Sequence, residues 1–359
     1  MTDLDERIAS VLRERAEGET DTHRLLLASR ARGRRRQLRR RTATGTALAL
    51  VGVLGLVGVT GTDVGGLTDR LPWTAATSGV AAPVPPRVDG VQGAARRPDL
   101  VGADPNVLHL GVDPGRARYL RWAVHPANRV ESIQFSVGGG RPVTVEVSPS
   151  ADAVDQLLLD GVPLQQSVTG LTFDGSVRQF GGTAGGLVTA WQPVPGLYAR
   201  ASTLGGDRMA LARAVNAVRW DEPRRCAVPL RLDALPAGAT VSDCSVDATA
   251  FPTGLRVDLT LQRESSAVMW VRLVYGAQIA GSTLESNRTV GGRPAHLHRD
   301  GRTLELLGIP KAHVTAEFGS PLPGTAPPAG YPALTEADAA TVLAGARIAT
   351  DLTDPDTWE

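Results

Sequence analysis

The junction after Arg41 constrains this chain more than any other feature. Arg30, Arg32, Arg34, Arg35, Arg36, Arg39, Arg40 and Arg41 form a basic block that abuts residues 42–62, a stretch without a single charge. A helix rises about 1.5 Å per residue, so about 20 residues cross the hydrocarbon core, and this stretch is long enough for one span. Its Leu, Val and Ala are diluted by Gly45, Gly52, Gly55, Gly58 and Gly61 and by five threonines, so it inserts with a modest margin. Those glycines recur every third residue and make no GxxxG dimerisation face. Arginine is retained on the cytoplasmic side, which predicts an inner N-terminus and an outer location for everything after Asp63. Arg34, Arg35, Arg36, Arg39, Arg40 and Arg41 are then placed to meet anionic lipid head groups, a better partner than nucleic acid for a basic run beside an apolar one. The long basic lead, with no small-x-small site before Asp63, favours an uncleaved anchor over a signal peptide.

Charge divides at the same place. Residues 1–41 carry 12 Arg against 7 acidic side chains, whereas the whole chain of 359 residues balances 38 basic against 37 acidic. The outer part is therefore slightly acidic. In the inner segment Asp3 and Glu6 resemble a helix cap, and Leu4, Ile8, Val11 and Leu12 recur at helical spacing. A segment this short cannot bury a core alone. Its apolar stripe meets a cytoplasmic regulatory protein, meets the membrane surface, or belongs to a segment without fixed structure, and the three readings stay open.

Beyond the span, residues 63–105 are rich in Gly, Pro, Ala and Thr and read as an extended tether. Strand-like runs follow at 107–112, 119–124, 132–137 and 143–147, then a helical patch at 151–159. A pattern of strand, turn, strand and helix occurs twice. The first copy runs from Phe180-Gly181-Gly182 through strands at 187–191 and 197–201 to a helix near 207–218. The second runs from Val290-Gly291-Gly292 through 296–298, 303–307 and 313–318 to a helix at 336–348, capped by Thr335 and Asp338. Between them, residues 255–261 and 268–275 alternate apolar and polar side chains, the mark of a sheet with one wet face. The expected fold is α+β: an inner helix, one transmembrane helix, and antiparallel sheets with packed helices outside, divided into units at 106–222 and 223–352 with a tail at 353–359. True duplication and chance likeness of generic β-β-α units both remain open.

Cys226 and Cys244, the only cysteines, lie 18 residues apart beyond the predicted span. An exported disulfide is the natural pairing, and closing such a loop contributes about 3 kcal/mol in the chain-entropy account. His296 and His298 share one face of a strand, but no third ligand stands nearby in sequence, so a solvated face is expected rather than a metal. Zincin, phosphate-loop, nucleophile-elbow and Ser-x-x-Lys signatures are all missing from the sequence, and the Gly138–Gly140 and Gly181–Gly186 clusters read as turns. No catalytic residue, metal or cofactor is expected. Trp122, Trp191, Trp220 and Trp270 are assigned to core packing.

The layout of the Asp3-Leu4-Asp5-Glu6-Arg7-Ile8 helix, the Arg34-to-Arg41 block, one span, a Pro/Gly tether and an outer α+β domain resembles a broad group of bacterial single-pass membrane proteins. It is similar, as architecture, to membrane-bound anti-sigma-factor-like regulators, in which an inner segment holds a sigma factor and an outer domain senses the envelope. No cysteine precedes the span, so the zinc signature of many such inner domains is not present. Two functions are expected from this layout. The first is a non-enzymatic, membrane-anchored binding module of the cell envelope; the alternative is a transmembrane regulator whose Leu4, Ile8, Val11 and Leu12 face binds a cytoplasmic partner.

Overall fold

In Gly254–Arg263, Leu255, Val257, Leu259 and Leu261 are buried while the side chains between them are not. A strand with that period lays one face on a core and leaves the other to solvent. A computed structural model of the chain, describing residues 82–155, 158–159, 162–163, 170–180, 185–205, 207–263, 267–320 and 333–358, joins thirteen strands into one antiparallel sheet. They are β1 (Ala117–His125), β2 (Val130–Val137), β3 (Val143–Ser148), β4 (Asp174–Phe180), β5 (Gly186–Val194) and β6 (Leu197–Leu204), then β7 (Ala239–Asp247), β8 (Gly254–Arg263), β9 (Ala267–Gly276), β10 (Arg288–Val290), β11 (Arg293–Leu297), β12 (Thr303–Leu306) and β13 (Ala312–Ser320). Their order across the sheet is β10-β11-β12-β13-β9-β8-β7-β1-β2-β3-β6-β5-β4.

That order reads the same outward from the β1–β7 pair in both directions. One side runs β1-β2-β3-β6-β5-β4; the other runs β7-β8-β9-β13-β12-β11, with β10 added at its edge. Each half is two three-stranded meanders followed by a helix: α2 (Arg208–Ala217) after β6 and α3 (Glu336–Ala344) after β13. The correspondence extends to the flanks. Gly111–Val112, just before β1, pairs with Val218–Arg219 just after α2, and Leu230–Leu232, before β7, pairs with Ala346–Ile348 after α3. The two halves therefore share one topology and are fused through antiparallel pairing of their equivalent first strands, with Trp122 opposite Val246 and Ala123 opposite Ser245. The sequence pattern aligns differently at one point: Val290-Gly291-Gly292 closes the β10–β11 hairpin, and among the described residues of the first half no strand joins the large sheet beyond β4.

Both helices are capped. Asp207 accepts from the Ala210 amide at 2.9 Å, and Thr335 with Asp338 forms the expected capping box. α2 buries Ala210, Leu211, Ala214 and Ala217, and α3 buries Ala339, Val342 and Leu343. These join the buried side chains of β2, β3, β8, β9 and β13 in one core. The helix expected over 336–348 stops at Gly345, where a Cβ would come within 2.7 Å of Ala234, and the next three residues enter strand pairing instead. The patch at 151–159 is helical only over Ala151–Asp155, here α1.

Two segments assigned outside the folded units are part of them. The tether reading of 63–105 does not hold from Pro83 onward: the Arg225 amide donates to Pro86 O, Ala94 N to His109 O and Ala95 N to Trp220 O, all at 2.8 Å, and Ala94 and Val101 are fully buried. Glu131 explains the docking chemically, since its buried carboxylate accepts from the Gly102 amide at 2.8 Å and from both the amide and the Nδ1 of His109 at 2.6 Å. Proline and glycine content misread this stretch because its partners lie far along the chain. In the tail, Trp358 is buried edge-on against Phe251. Among the described residues no helix is long and apolar enough to cross a membrane. The predicted span at 42–62 and the inner segment lie outside the described residues.

Candidate functional site

One row of residues crosses the face of the sheet opposite α2 and α3. Successive strand pairings place Arg200, Glu146, Ser132, Ala123, Ser245, Asp258, Arg272, Thr315, Glu305 and His296 side by side. Because side chains alternate along each strand, all of these share one face, and it is almost wholly polar. A cavity of about 530 Å³ opens in the middle of it, over the β1–β7 seam and the strands on either side.

Charge in the cavity is arranged as a ladder. Arg121 on β1 pairs with Asp247 on β7 at 2.9 Å. On β8, Arg256 grips its neighbour Asp258 through Nε at 2.5 Å and Nη2 at 3.0 Å, and Arg272 on β9 donates to the same carboxylate through Nε at 2.7 Å. Burial works against the Asp247 carboxylate, but hydrogen bonds from Thr249 and the charge of Arg121 outweigh it and hold its pKa below the ordinary value. The bonds to Asp258 push the Arg256 guanidinium further toward its charged form. Across the seam, Glu146 is buried with the fully buried Arg200, which donates Nε to it at 2.9 Å, contacts it again through Nη2, and donates Nη1 to the Val154 carbonyl of α1. Burial pushes the Glu146 carboxyl above its ordinary value, with the Arg200 charge pulling the other way. His125 and Asp243, 3.0 Å apart, close one end.

Every carboxylate in the cavity is tied to a guanidinium. Guanidinium donors remain in surplus. Trp270, half-buried beside Arg272, adds an aromatic surface to the wall. Its place on the wet face corrects its assignment to the core; Trp122, Trp191 and Trp220 do pack into or against the core.

Cys226 and Cys244 form the expected disulfide, with Cα atoms 6.3 Å apart. Both are buried on the face away from the cavity, and the Cys226 carbonyl accepts from Trp122 Nε1 at 3.0 Å. The bond ties the connection between the halves to β7, one residue from the seam position Ser245. His296 and His298 do stack edge to face, at 5.2 Å between ring centres. His298 bonds Glu305 Oε2 at 2.9 Å, and His313 takes the other oxygen at 2.7 Å. Glu305 thus spends both oxygens on imidazoles, and no group of three or more His, Cys, Asp or Glu among the described residues is arranged to hold a metal ion. Leu4, Ile8, Val11, Leu12 and the Arg34, Arg35, Arg36, Arg39, Arg40 and Arg41 set all lie outside the described residues.

Sequence reasoning passed over Arg121, Asp247, Arg256, Asp258, Trp270 and Arg272 as a site. A signal was present: alternation in 255–261 and 268–275 puts Arg256, Asp258, Trp270 and Arg272 on the wet side. What it lacked was the pairing of β1 with β7, which brings Arg121 to residues more than a hundred positions away. No known protein family, no curated protein and no solved structure matches the chain.

Proposed function

We propose that this chain is a non-enzymatic, membrane-anchored binding module of the cell envelope. Residues 42–62 are its anchor, residues 1–41 its cytoplasmic lead, and the duplicated α+β domain its extracytoplasmic binding part. The observation that carries the reading is the cavity on the open sheet face, of a volume typical for small-ligand sites and lined by paired charges with Trp270 among them. The disulfide supports an oxidising compartment for the domain. The basic block before the uncharged stretch supports the topology.

The test has two arms. Protease added to intact cells should remove the disulfide-bonded domain and leave the lead protected; protection of the domain would refute the topology. Hydrogen exchange on the full chain, with and without fractionated small molecules from the cell envelope, should show slowed exchange confined to β1–β3 and β7–β9. Unchanged exchange there with every fraction would refute the binding role. The transmembrane-regulator alternative makes a different prediction: replacing Leu4, Ile8 and Leu12 with Ser abolishes crosslinking to an inner partner.

A further inference from the structure

We infer that the seam cavity takes a small ligand bearing one carboxylate or phosphate group, held by the terminal nitrogens of Arg272 and Arg256, with the rest of the ligand against Trp270. The inference deepens the binding-module reading and rests on it. Its first support is a count of donors and acceptors. Arg272 uses only Nε, on Asp258, so its Nη1 and Nη2 have no hydrogen-bond partner among the described residues; Arg256 likewise leaves Nη1 unused. A guanidinium offers five N–H donors in a planar fork, and a carboxylate or phosphate matches that fork with two acceptors.

The acidic groups beside them have little left to offer. Both oxygens of Asp258 are engaged by Arg256 and Arg272, and those of Asp247 by Thr249 and Arg121. Glu146 takes both Arg200 bonds on Oε2 and keeps Oε1 for a donor from the rest of the ligand, whereas the Arg256 and Arg272 end of the cavity offers only free donors. Charge sets a limit. Among the lining residues Arg121, Arg256 and Arg272 balance Asp247, Asp258 and Glu146, so a single negative group is drawn by the open guanidinium nitrogens, while a polyanion would meet the interleaved carboxylates of Asp247 and Asp258. Gln134, Ser132 and Ser245 supply neutral hydrogen-bonding groups for the remainder of the molecule, and Trp270 supplies the flat apolar contact.

The experiment titrates the full chain, in an uncharged polyoxyethylene detergent, with four probes: D-glucuronate, D-glucose, sn-glycerol 3-phosphate and glycerol. Binding is read by calorimetry and by hydrogen exchange at β8 and β9. The expected result is that at least one anion binds at least tenfold more tightly than its neutral partner, that added salt weakens it, and that Arg272→Gln lowers its affinity at least tenfold with an unchanged unfolding midpoint. Preference for glucuronate assigns a carboxylate source, and preference for glycerol phosphate assigns a phosphoryl one. Equal binding of glucose and glucuronate, anion binding that survives Arg272→Gln and Arg256→Gln together, or no binding of either anion would each overturn the inference. Protection of the seam by an envelope fraction alongside any of those outcomes leaves the binding-module reading standing without it.

Discussion

Arg200→Met isolates the energetics that hold the site together. The wild-type side chain is fully buried and places all three guanidinium nitrogens on two acceptors, the Glu146 carboxylate and the Val154 carbonyl. Truncating one partner of a buried ion pair costs about 3–5 kcal/mol, because the other charge stays buried without compensation. Glu146 has an escape: burial already pushes its carboxyl upward, and without Arg200 it rises further. Between its ordinary and its raised value the folded state holds one more proton than the unfolded chain, so stability falls as pH rises through that window. The full loss is therefore expected at pH 8 and a smaller one at pH 5.

The double variant Arg200→Met/Glu146→Leu removes the stranded charge and leaves only the Val154 carbonyl short of a donor, an expected cost of about 1–3 kcal/mol. Thermal unfolding at the two pH values measures all of this. For a domain of this size about 2 °C accompanies each kcal/mol, so the single variant should unfold about 6–10 °C lower at pH 8. A single-variant loss below about 1 kcal/mol, or a double variant no more stable than the single one, would refute the picture of a buried, mutually compensated pair.

Other expectations follow from packing. Replacing Cys226 and Cys244 with Ser should cost about 3 kcal/mol by denaturant unfolding, with an equal loss when the wild type is reduced. Gly93→Val should destabilise the domain by about 1–3 kcal/mol or more and raise exchange at residues 86–102, since even a Cβ at Gly93 would lie 2.5 Å from the Asp221 Cα; an unchanged midpoint would mean that this segment does not dock on the domain. Thr335→Ala should cost about 1 kcal/mol through the lost capping box, visible as faster exchange in the first turn of α3.

Local features were legible in the sequence to the degree that they depend on local chemistry. The alternation around Leu255 and Val257 marks β8, Thr335 and Asp338 mark the start of α3, and the cysteine pair is oxidised as read. Long-range pairing was not legible. Residues 82–105 look like a linker because their hydrogen bonds go to Pro223, Trp220 and His109, and nothing in a Pro/Gly-rich composition announces distant partners. The end of α3 was overrun because Ala346–Ile348 is as helical in pattern as what precedes it and is captured by pairing with Leu230–Leu232. The ladder was invisible for the same reason: Arg121 and Asp247 meet only because two halves of like topology join strand to strand.

That join also accounts for where the cavity lies. The outer strand of a half-sheet standing alone would expose a row of unpaired backbone groups, and fusion through β1 and β7 buries those edges against each other. The apolar faces near the seam are covered by the core, the disulfide connection and the flanking segments. Among the described residues no second helix layer crosses β1, β2, β7, β8 and β9 on the opposite face, so its side chains satisfy one another, water or a ligand. Sequence differences between the halves then determine the chemistry. At the row position where β3 carries Glu146, beside a buried Arg200 on β6, the corresponding strand β9 carries Arg272, beside the hydroxyl-bearing Thr315 on β13 and bonded through Nε alone to Asp258 on β8. One half spends all three nitrogens of its guanidinium internally and the other spends one, and that difference between topologically matching strands gives the cavity its unspent donors.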